Sequence, residues 1–364
     1  MKRVLYITYI DILNGEAASG SAVRPKRMYE SLLKKGYDVI LLEGSQLRSN
    51  KAIRLSRIRE IERIVNKNAI DYCYIELPTT PITFFDDLRL IKTISKKSIK
   101  IGAFYRDFDW KYSYISQDKG LKKIYHWFCF KIDIYIFRKN IDILFFPTEG
   151  ARKLFSSLEK LPYYRTSVLP PGMDFHINAH SQIFYNAIYV GGVSSIYKIE
   201  LFLEAFNRIN QNGTRITMTL VCREAELQER KNILNKYLEC DWLNVVHTSN
   251  TEILKQLYQK SDFGISTLSI NEYTNICMPI KLGEYLSYGL PIIATECVEI
   301  KKFLDEYRCG LTCKDNVIDI QNNIESFYNN ENLRTALKQN VQQAVQKNSW
   351  LSRVNIIEEQ LHVK

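Results

Sequence analysis

Histidine is scarce in this chain, with five in 364 residues. None stands beside a carboxylate at the end of a strand-like run, which argues against acid/base chemistry built on imidazole. No run of about 18 uninterrupted apolar residues occurs, so no membrane-spanning helix is expected. Low-complexity tracts are absent. The eight cysteines are scattered, and Cys309 and Cys313 are the only close pair. That is neither a zinc spacing nor a disulfide framework, and it fits reduced thiols in a cytoplasmic chain. No secretory leader is read at the start: Met1-Lys2-Arg3 runs directly into the strand-like Val4 to Ile10, which stops at Asp11. No RNA- or DNA-binding motif appears. The formal net charge of +10 therefore points to anionic lipid or phosphorylated ligands instead. With 23 Tyr and 17 Phe, a membrane surface or a carbohydrate fits better than nucleic acid.

What is present supports an α/β protein of two doubly wound, Rossmann-like domains. Apolar residues make up 46% of the chain, enough for two cores at this length. Val4 to Tyr9 reads as a first parallel strand, followed by a loop to Val23 that holds Gly20 and Ser21. Pro25 then opens a helix to Lys35, with Gly36 as its stop, and Tyr37 to Leu42 returns as a strand. Residues 49–68 form a basic helical stretch with a largely solvated face. Strands follow at Tyr72 to Glu76 and Lys100 to Tyr105. The second runs into Arg106-Asp107-Phe108-Asp109-Trp110, a charged cluster where ligands of open α/β sheets gather. Asp107 and Asp109 also fit the short D-x-D pattern that holds a divalent metal.

Residues 119–140 are unusual. Leu121, Ile124, Tyr125, Phe128, Ile132 and Tyr135 form one helical stripe, and Trp127, Phe130, Ile134 and Phe137 widen it. Lys122, Lys123, Lys131, Arg138 and Lys139 flank it. Two readings stand: a wholly buried helix, or one lying in a bilayer interface. Asp133 needs a partner in either. Ile141 to Phe146 and Ser167 to Leu169 complete the first sheet. Pro170-Pro171-Gly172 begins a linker that extends to about Ser181, so the first domain spans 1–172.

The second domain, 173–345, restarts the pattern. Ala187 to Val190 is a strand, Gly191-Gly192 a turn able to present N–H groups to phosphate, and Lys198 begins a helix. Ile216 to Cys222 is a strand with Arg223 at its end. Val245-Val246-His247 is a short strand and loop, and Phe263 to Thr267 the next strand. Asn275 to Thr295 then reads NICMPIKLGEYLSYGLPIIAT. Pro279 opens a helix, Lys281 and Glu284 share a face, Gly289 ends it, and Leu290 to Ala294 is a buried strand. A helix tip favours anions, and a carboxylate one turn along suits a ribose diol. Together they describe a nucleotide site.

The run P-x-K-x-x-E-Y-x-x-x-G-x-P-I-I-A-T resembles the nucleotide-sugar segment of GT-B glycosyltransferases, particularly the family-4 retaining enzymes. The resemblance implies a nucleoside diphosphate sugar, UDP-linked by preference, gripped by Glu284, Lys281, Pro279, Ile280, Asn275, Gly192, Arg223 and His247. It implies Lys198 as a cation on the leaving diphosphate, and Gly20 and Ser21 in a loop lining the interdomain cleft. Arg106 and Asp107 are then acceptor-side or catalytic groups, Asp107 orienting the acceptor hydroxyl. No cofactor and no metal are expected, because cations take that role. Two departures stand out. Val193 occupies the place of the family's Arg, and Ile276 that of the first of two glutamates, unless Glu272 reaches in. The last segment, 346–364, is expected to be a helix packing back on the first domain.

The function implied is transfer of a hexose-type sugar to a saccharide or lipid-linked saccharide in surface polysaccharide or glycoconjugate assembly, with retention implied by the family rather than read from residues. Peripheral contact with the inner face of the plasma membrane, through 119–140, would accompany it. The rivals are a nucleotide-sugar epimerase on the same fold and a non-catalytic partner subunit.

Overall fold

The computed structural model describes residues 2–13, 20–47, 50–67, 69–112, 120–176, 183–213 and 215–363, with Gly20, Ser21 and Asp109 placed by backbone alone. The chain divides into two compact units, Met1–Gly172 with Trp350–Lys364, and Met173–Ser349.

In the first unit strands and helices alternate: β1 (Arg3–Thr8), α1 (Gly20–Lys34), β2 (Asp38–Leu42), α2 (Lys51–Lys67), β3 (Tyr72–Glu76), α3 (Phe85–Lys96), β4 (Lys100–Phe104), α4 (Gly120–Asn140), β5 (Ile143–Phe146), α5 (Glu149–Glu159) and β6 (Thr166–Val168). All six strands are parallel, in the order β2-β1-β3-β4-β5-β6. Helices on both faces bury such strands, so they read as apolar runs rather than as alternation. Tyr72 to Glu76 and Ile143 to Phe146 are buried at every position.

Helix α1 begins earlier than the sequence suggested. Gly20 and Ser21 are its first residues, not loop residues, and Pro25 lies inside it. Proline removes one intrahelical donor. Here the Pro25 carbonyl is also engaged from the sheet, by the Tyr6 hydroxyl at 2.8 Å. Helix α2 is not merely a solvated face either. Arg54 is buried and pairs with Asp87 of α3 at 2.7 Å, while its other nitrogen bonds the carbonyls of Thr8, Glu43 and Gly44.

The second unit holds β7 (Asn186–Val190), α6 (Ile199–Ile209), β8 (Thr217–Val221), α7 (Glu224–Glu229), α8 (Lys231–Leu238), β9 (Leu243–Val246), α9 (Thr251–Gln259), β10 (Phe263–Ser266), α10 (Ile280–Ser287), β11 (Ile292–Thr295), α11 (Val298–Tyr307), β12 (Gly310–Cys313), α12 (Val317–Asn329) and α13 (Glu331–Lys347). Its parallel sheet runs β12-β11-β10-β7-β8-β9. One core, around Phe202, Phe206, Trp242 and Phe327, covers one face. The other, around Tyr258, Leu282, Tyr285 and Ile300, covers the opposite face and anchors α10.

The last helix, α14 (Trp350–Gln360), belongs to the first unit. The crossing falls at Trp350 rather than at residue 346. Residues 346–349 stay behind because α13 runs to Lys347, and the Asn348 carbonyl then accepts the Met173 N–H at 2.8 Å. In the first unit, α14 packs beside α1, where Lys35 pairs with Glu358 at 2.5 Å. Gly172 is required at the crossing, since a Cβ there would sit 2.5 Å from the Trp350 ring.

Candidate functional site

In a sheet of order 3-2-1-4-5-6, connections diverge between the first and fourth strands, and ligands collect outside their carboxyl ends. Counted within the second unit, that place lies between β7 and β10. The loop after β7 carries Gly191, Gly192, Val193 and Lys198, and the loop after β10 leads into α10. The two loops are tied together: the Ser269 N–H bonds the Ile196 carbonyl at 2.7 Å, and the Thr267 hydroxyl bonds the Tyr197 carbonyl at 2.6 Å.

Helix α10 is built for a fixed position. Pro279 is its N-cap rather than its first helical residue as the sequence suggested, and Ile280 begins the helix. Leu282, Tyr285 and Leu286 are buried, and Gly289 closes the helix with a φ of 82°. The Tyr285 hydroxyl accepts the Val190 N–H at 2.9 Å, fixing α10 to the end of β7. Its ring lies so close to β10 that a Cβ on Gly264 would approach to 2.3 Å. The tip of α10, whose first N–H groups have no intrahelical partners, is thereby held over the switch point.

Glu284 and Lys281 meet on this helix at 2.6 Å. The same carboxylate oxygen accepts the Tyr258 hydroxyl at 3.0 Å. Burial and the neighbouring Glu284 charge hold the Tyr258 phenol well above its ordinary range, so it stays a donor. Tyr258 stacks on Tyr288 with centroids 4.7 Å apart. A sequence reading treats Tyr258 as one more apolar position of α9; only the packing of α9 against α10 gives it this role.

Lys198 caps α6 in the left-handed conformation, with φ 44°. Its ammonium pairs with Asp315, from the loop after β12, at 2.7 Å. Asp315 was not legible, because the short strand β12 that presents it gives no strand signal in the sequence. Val193, in the place of the expected Arg, is fully buried. Its N–H points to the Glu226 carboxylate at 3.3 Å, and that carboxylate lies 2.8 Å from where a Gly192 Cβ would stand. The glycine turn thus already faces an anion, which opposes a phosphate there. Arg223 pairs with Glu226 at 3.4 Å and is otherwise exposed. His247 bonds the Cys222 carbonyl at 2.9 Å through Nδ1. The Asn275 side chain accepts the Val298 N–H at 3.1 Å and so caps α11. Ile276 ends a single 3-10 turn, Thr274–Ile276, and Glu272 is exposed.

In the first unit, Arg106 lies 3.7 Å from Glu76, a residue the sequence reading passed over as an ordinary strand position. Glu76 is fully buried and also pairs with Arg24 at 3.0 Å and accepts the Tyr74 hydroxyl at 2.8 Å. The Arg24 guanidinium sits 3.5 Å from the Phe104 ring centroid. Asp107 accepts its neighbour's N–H, from Phe108, at 2.7 Å. The side chain of Asp109 lies outside the described residues, as does most of the loop before Gly20. Among the described residues no cluster of three metal-ligating side chains occurs.

Residues 185–330 match the family described as glycosyl transferases group 1. No curated protein matches the sequence. Solved structures do match in fold. Sucrose-phosphate synthase from Thermosynechococcus elongatus aligns at 14% identity and a TM-score of 0.69, covering 100% of this chain and 99% of its own. HepE of Anabaena, solved in complex with UDP, aligns at 12% and 0.64, covering 100% of both chains. WaaG, a glycosyltransferase involved in lipopolysaccharide biosynthesis, aligns at 12% and 0.63, covering 98% of this chain and 99% of its own. Two parallel six-stranded sheets of this connectivity give the chain a GT-B fold, and residues 185–330 of it are similar to the glycosyl transferases group 1 family.

Proposed function

We propose that this protein transfers a hexose-type sugar from a nucleoside diphosphate sugar, UDP-linked by preference, to a saccharide or lipid-linked saccharide, with retention at the anomeric carbon. The observation that carries the reading is the tip of α10 fixed over the β7/β10 switch point, with Lys281 and Glu284 one turn along. HepE, of the same fold, is solved with UDP and with UDP-glucose, which supports the uridine preference. Glu284 would grip the ribose. The helix N–H groups, Lys281 and Lys198 would stabilise the departing diphosphate electrostatically, so no metal is required. Binding then exchanges partners: Lys198 leaves Asp315, and Lys281 leaves Glu284.

The glycine turn contributes less than the resemblance implies, since the Glu226 carboxylate already lies against it and accepts the Val193 N–H. Arg223, Gly192 and His247 are accordingly peripheral in this reading, and Asn275 acts through the cap it makes on α11. Arg106 and Asp107 remain acceptor-side candidates. A cytoplasmic enzyme of surface glycoconjugate assembly, with peripheral membrane contact through 119–140, is the setting this implies.

Ile276 and Glu226 favour a second reading, a non-catalytic subunit that stabilises a partner enzyme. A thermal-shift screen against UDP-, GDP-, ADP- and dTDP-sugars separates the two, because a ligand bound only by the native state raises the melting temperature. One sugar nucleotide should raise it and slowly release nucleoside diphosphate. No shift with any donor would exclude the transferase reading.

A further inference from the structure

Helix α9 buries one side chain, Tyr258, at 2% exposure. Its ring stacks on Tyr288, the C-cap of α10, with centroids 4.7 Å apart, and meets Tyr285 of α10 edge-on at 5.9 Å. A phenylalanine would make the same ring contacts. A buried hydroxyl costs free energy that a phenyl ring does not, unless it finds a partner. The hydroxyl is therefore explained by what it bonds, and it donates to Oε2 of Glu284 at 3.0 Å.

Lys281 donates to that same Oε2, at 2.6 Å. The two donors differ in kind. Tyr258 reaches the carboxylate from the core, while Lys281 is partly exposed and reaches it from the solvent side. Among the described residues no hydrogen bond falls on Oε1 of Glu284, so that oxygen can accept from a ligand. The Lys281 bond must open if the ammonium is to meet a diphosphate. The Tyr258 bond need not. A phenol also leaves the carboxylate its full charge, and burial together with the Glu284 charge keeps that phenol protonated. Held by Lys281 alone, Glu284 would follow the ammonium, because residues three apart on a helix swing over one shared face. A second, core-anchored donor removes that freedom before a ligand arrives, and such ordering in advance favours binding.

We propose that Tyr258 is a positioning residue of the donor site: its hydroxyl pins Oε2 of Glu284 from the core, so that Oε1 faces the ribose diol whether or not Lys281 stays attached. This rests on the donor-site reading, in which Glu284 grips the ribose, and adds the group that aims it. The test is calorimetric titration of the full chain with UDP and with 2′-deoxy-UDP, the wild type beside Tyr258→Phe. The wild type should favour UDP. Tyr258→Phe should weaken UDP about tenfold, within the range of one hydrogen bond to a charged group, and 2′-deoxy-UDP about threefold or less, so the preference narrows. Release of UDP from UDP-glucose should show a raised KM with kcat unchanged, as when an interaction is lost equally from ground and transition states. The melting temperature of the free variant should stay within about 4 °C of the wild type, since the ring and its stacking are kept. In a Glu284→Ala background the Tyr258→Phe change should leave UDP affinity where it is. Equal losses for the two nucleotides, wild-type UDP affinity in Tyr258→Phe, or a further loss in the Glu284→Ala background would make Tyr258 a packing residue and overturn the proposal. A wild type that binds both nucleotides alike, or neither, would overturn the ribose contact of Glu284 and the proposal with it. That failure shows in the unmutated chain, so it is distinct from a failure of Tyr258 alone.

Discussion

Replacing Glu284 with Ala tests the donor site most directly. Two hydrogen bonds from a diol to an ionised carboxylate contribute about 1.5–3 kcal/mol each. The carboxylate is not idle in the free protein, however: it already holds Lys281 at 2.6 Å and Tyr258 at 3.0 Å. Part of the gain is offset when those bonds rearrange, leaving a net near 3 kcal/mol, or about 100-fold in donor affinity. The Lys281–Glu284 pair is 28% and 23% exposed, so its loss should cost about 1 kcal/mol or less of stability. That corresponds to a fall of no more than about 4 °C in melting temperature for a unit of this size. Calorimetric titration with UDP-glucose, beside thermal melts of the free protein, reads both quantities. A donor affinity within threefold of the wild type would refute the ribose contact. A collapse of the unliganded protein would show that Glu284 is there for Tyr258 and the α9–α10 packing instead.

Three further outcomes are expected. Lys198→Ala should lower turnover about 100-fold, as loss of one charge-stabilising group does, while stability changes by about 1 kcal/mol or less because its pair with Asp315 is one-third exposed; an unaffected rate of nucleoside diphosphate release would exclude Lys198 from the leaving-group site. Gly264→Ala should destabilise the second unit by about 1–3 kcal/mol through overpacking against Tyr285, with a matching drop in urea midpoint. Burial pushes the Asp133 carboxyl up to about 8, against the pull of the Ile82 N–H. The unfolded chain ionises near 3.9, so the native chain binds the extra proton between about pH 4 and 8 and stability falls as pH rises through that window. Asp133→Asn should therefore come close to the wild type near pH 4 or below and exceed it near pH 8 by a few kcal/mol, on the order set by that linkage; parallel urea curves at the two pH values would contradict it.

Much of the framework was legible because strands buried on both faces announce themselves. Tyr72 to Ile75 is an unbroken aromatic and apolar run that closes at Glu76, and the bounds of that strand hold in the structure. Helix α10 was legible from its stop glycine and spacing. The strand β12 was not, because GLTC is four residues long and follows a helix whose left-handed end falls on Arg308, not on Gly310. Helices α7 and α8 also went unread, since Arg230 joins them without a proline or glycine. Helix α1 was misjudged at its start, where Pro25 looks like an opening signal and is an interior residue.

By itself the sequence determined the two alternating α/β patterns, the segment that becomes α10, and the pairing of Lys281 with Glu284, because all of these depend on near neighbours along the chain. It also marked 119–140 as too apolar for one buried face. Only the tertiary structure decided which face of α4 is covered, since period alone cannot tell a core from a partner. The company each charge keeps was likewise beyond the sequence. Lys198 with Asp315, Arg106 with Glu76, and Glu226 at the glycine turn join residues 117, 30 and 33 positions apart, and such pairs are set by strand order and loop path rather than by local pattern.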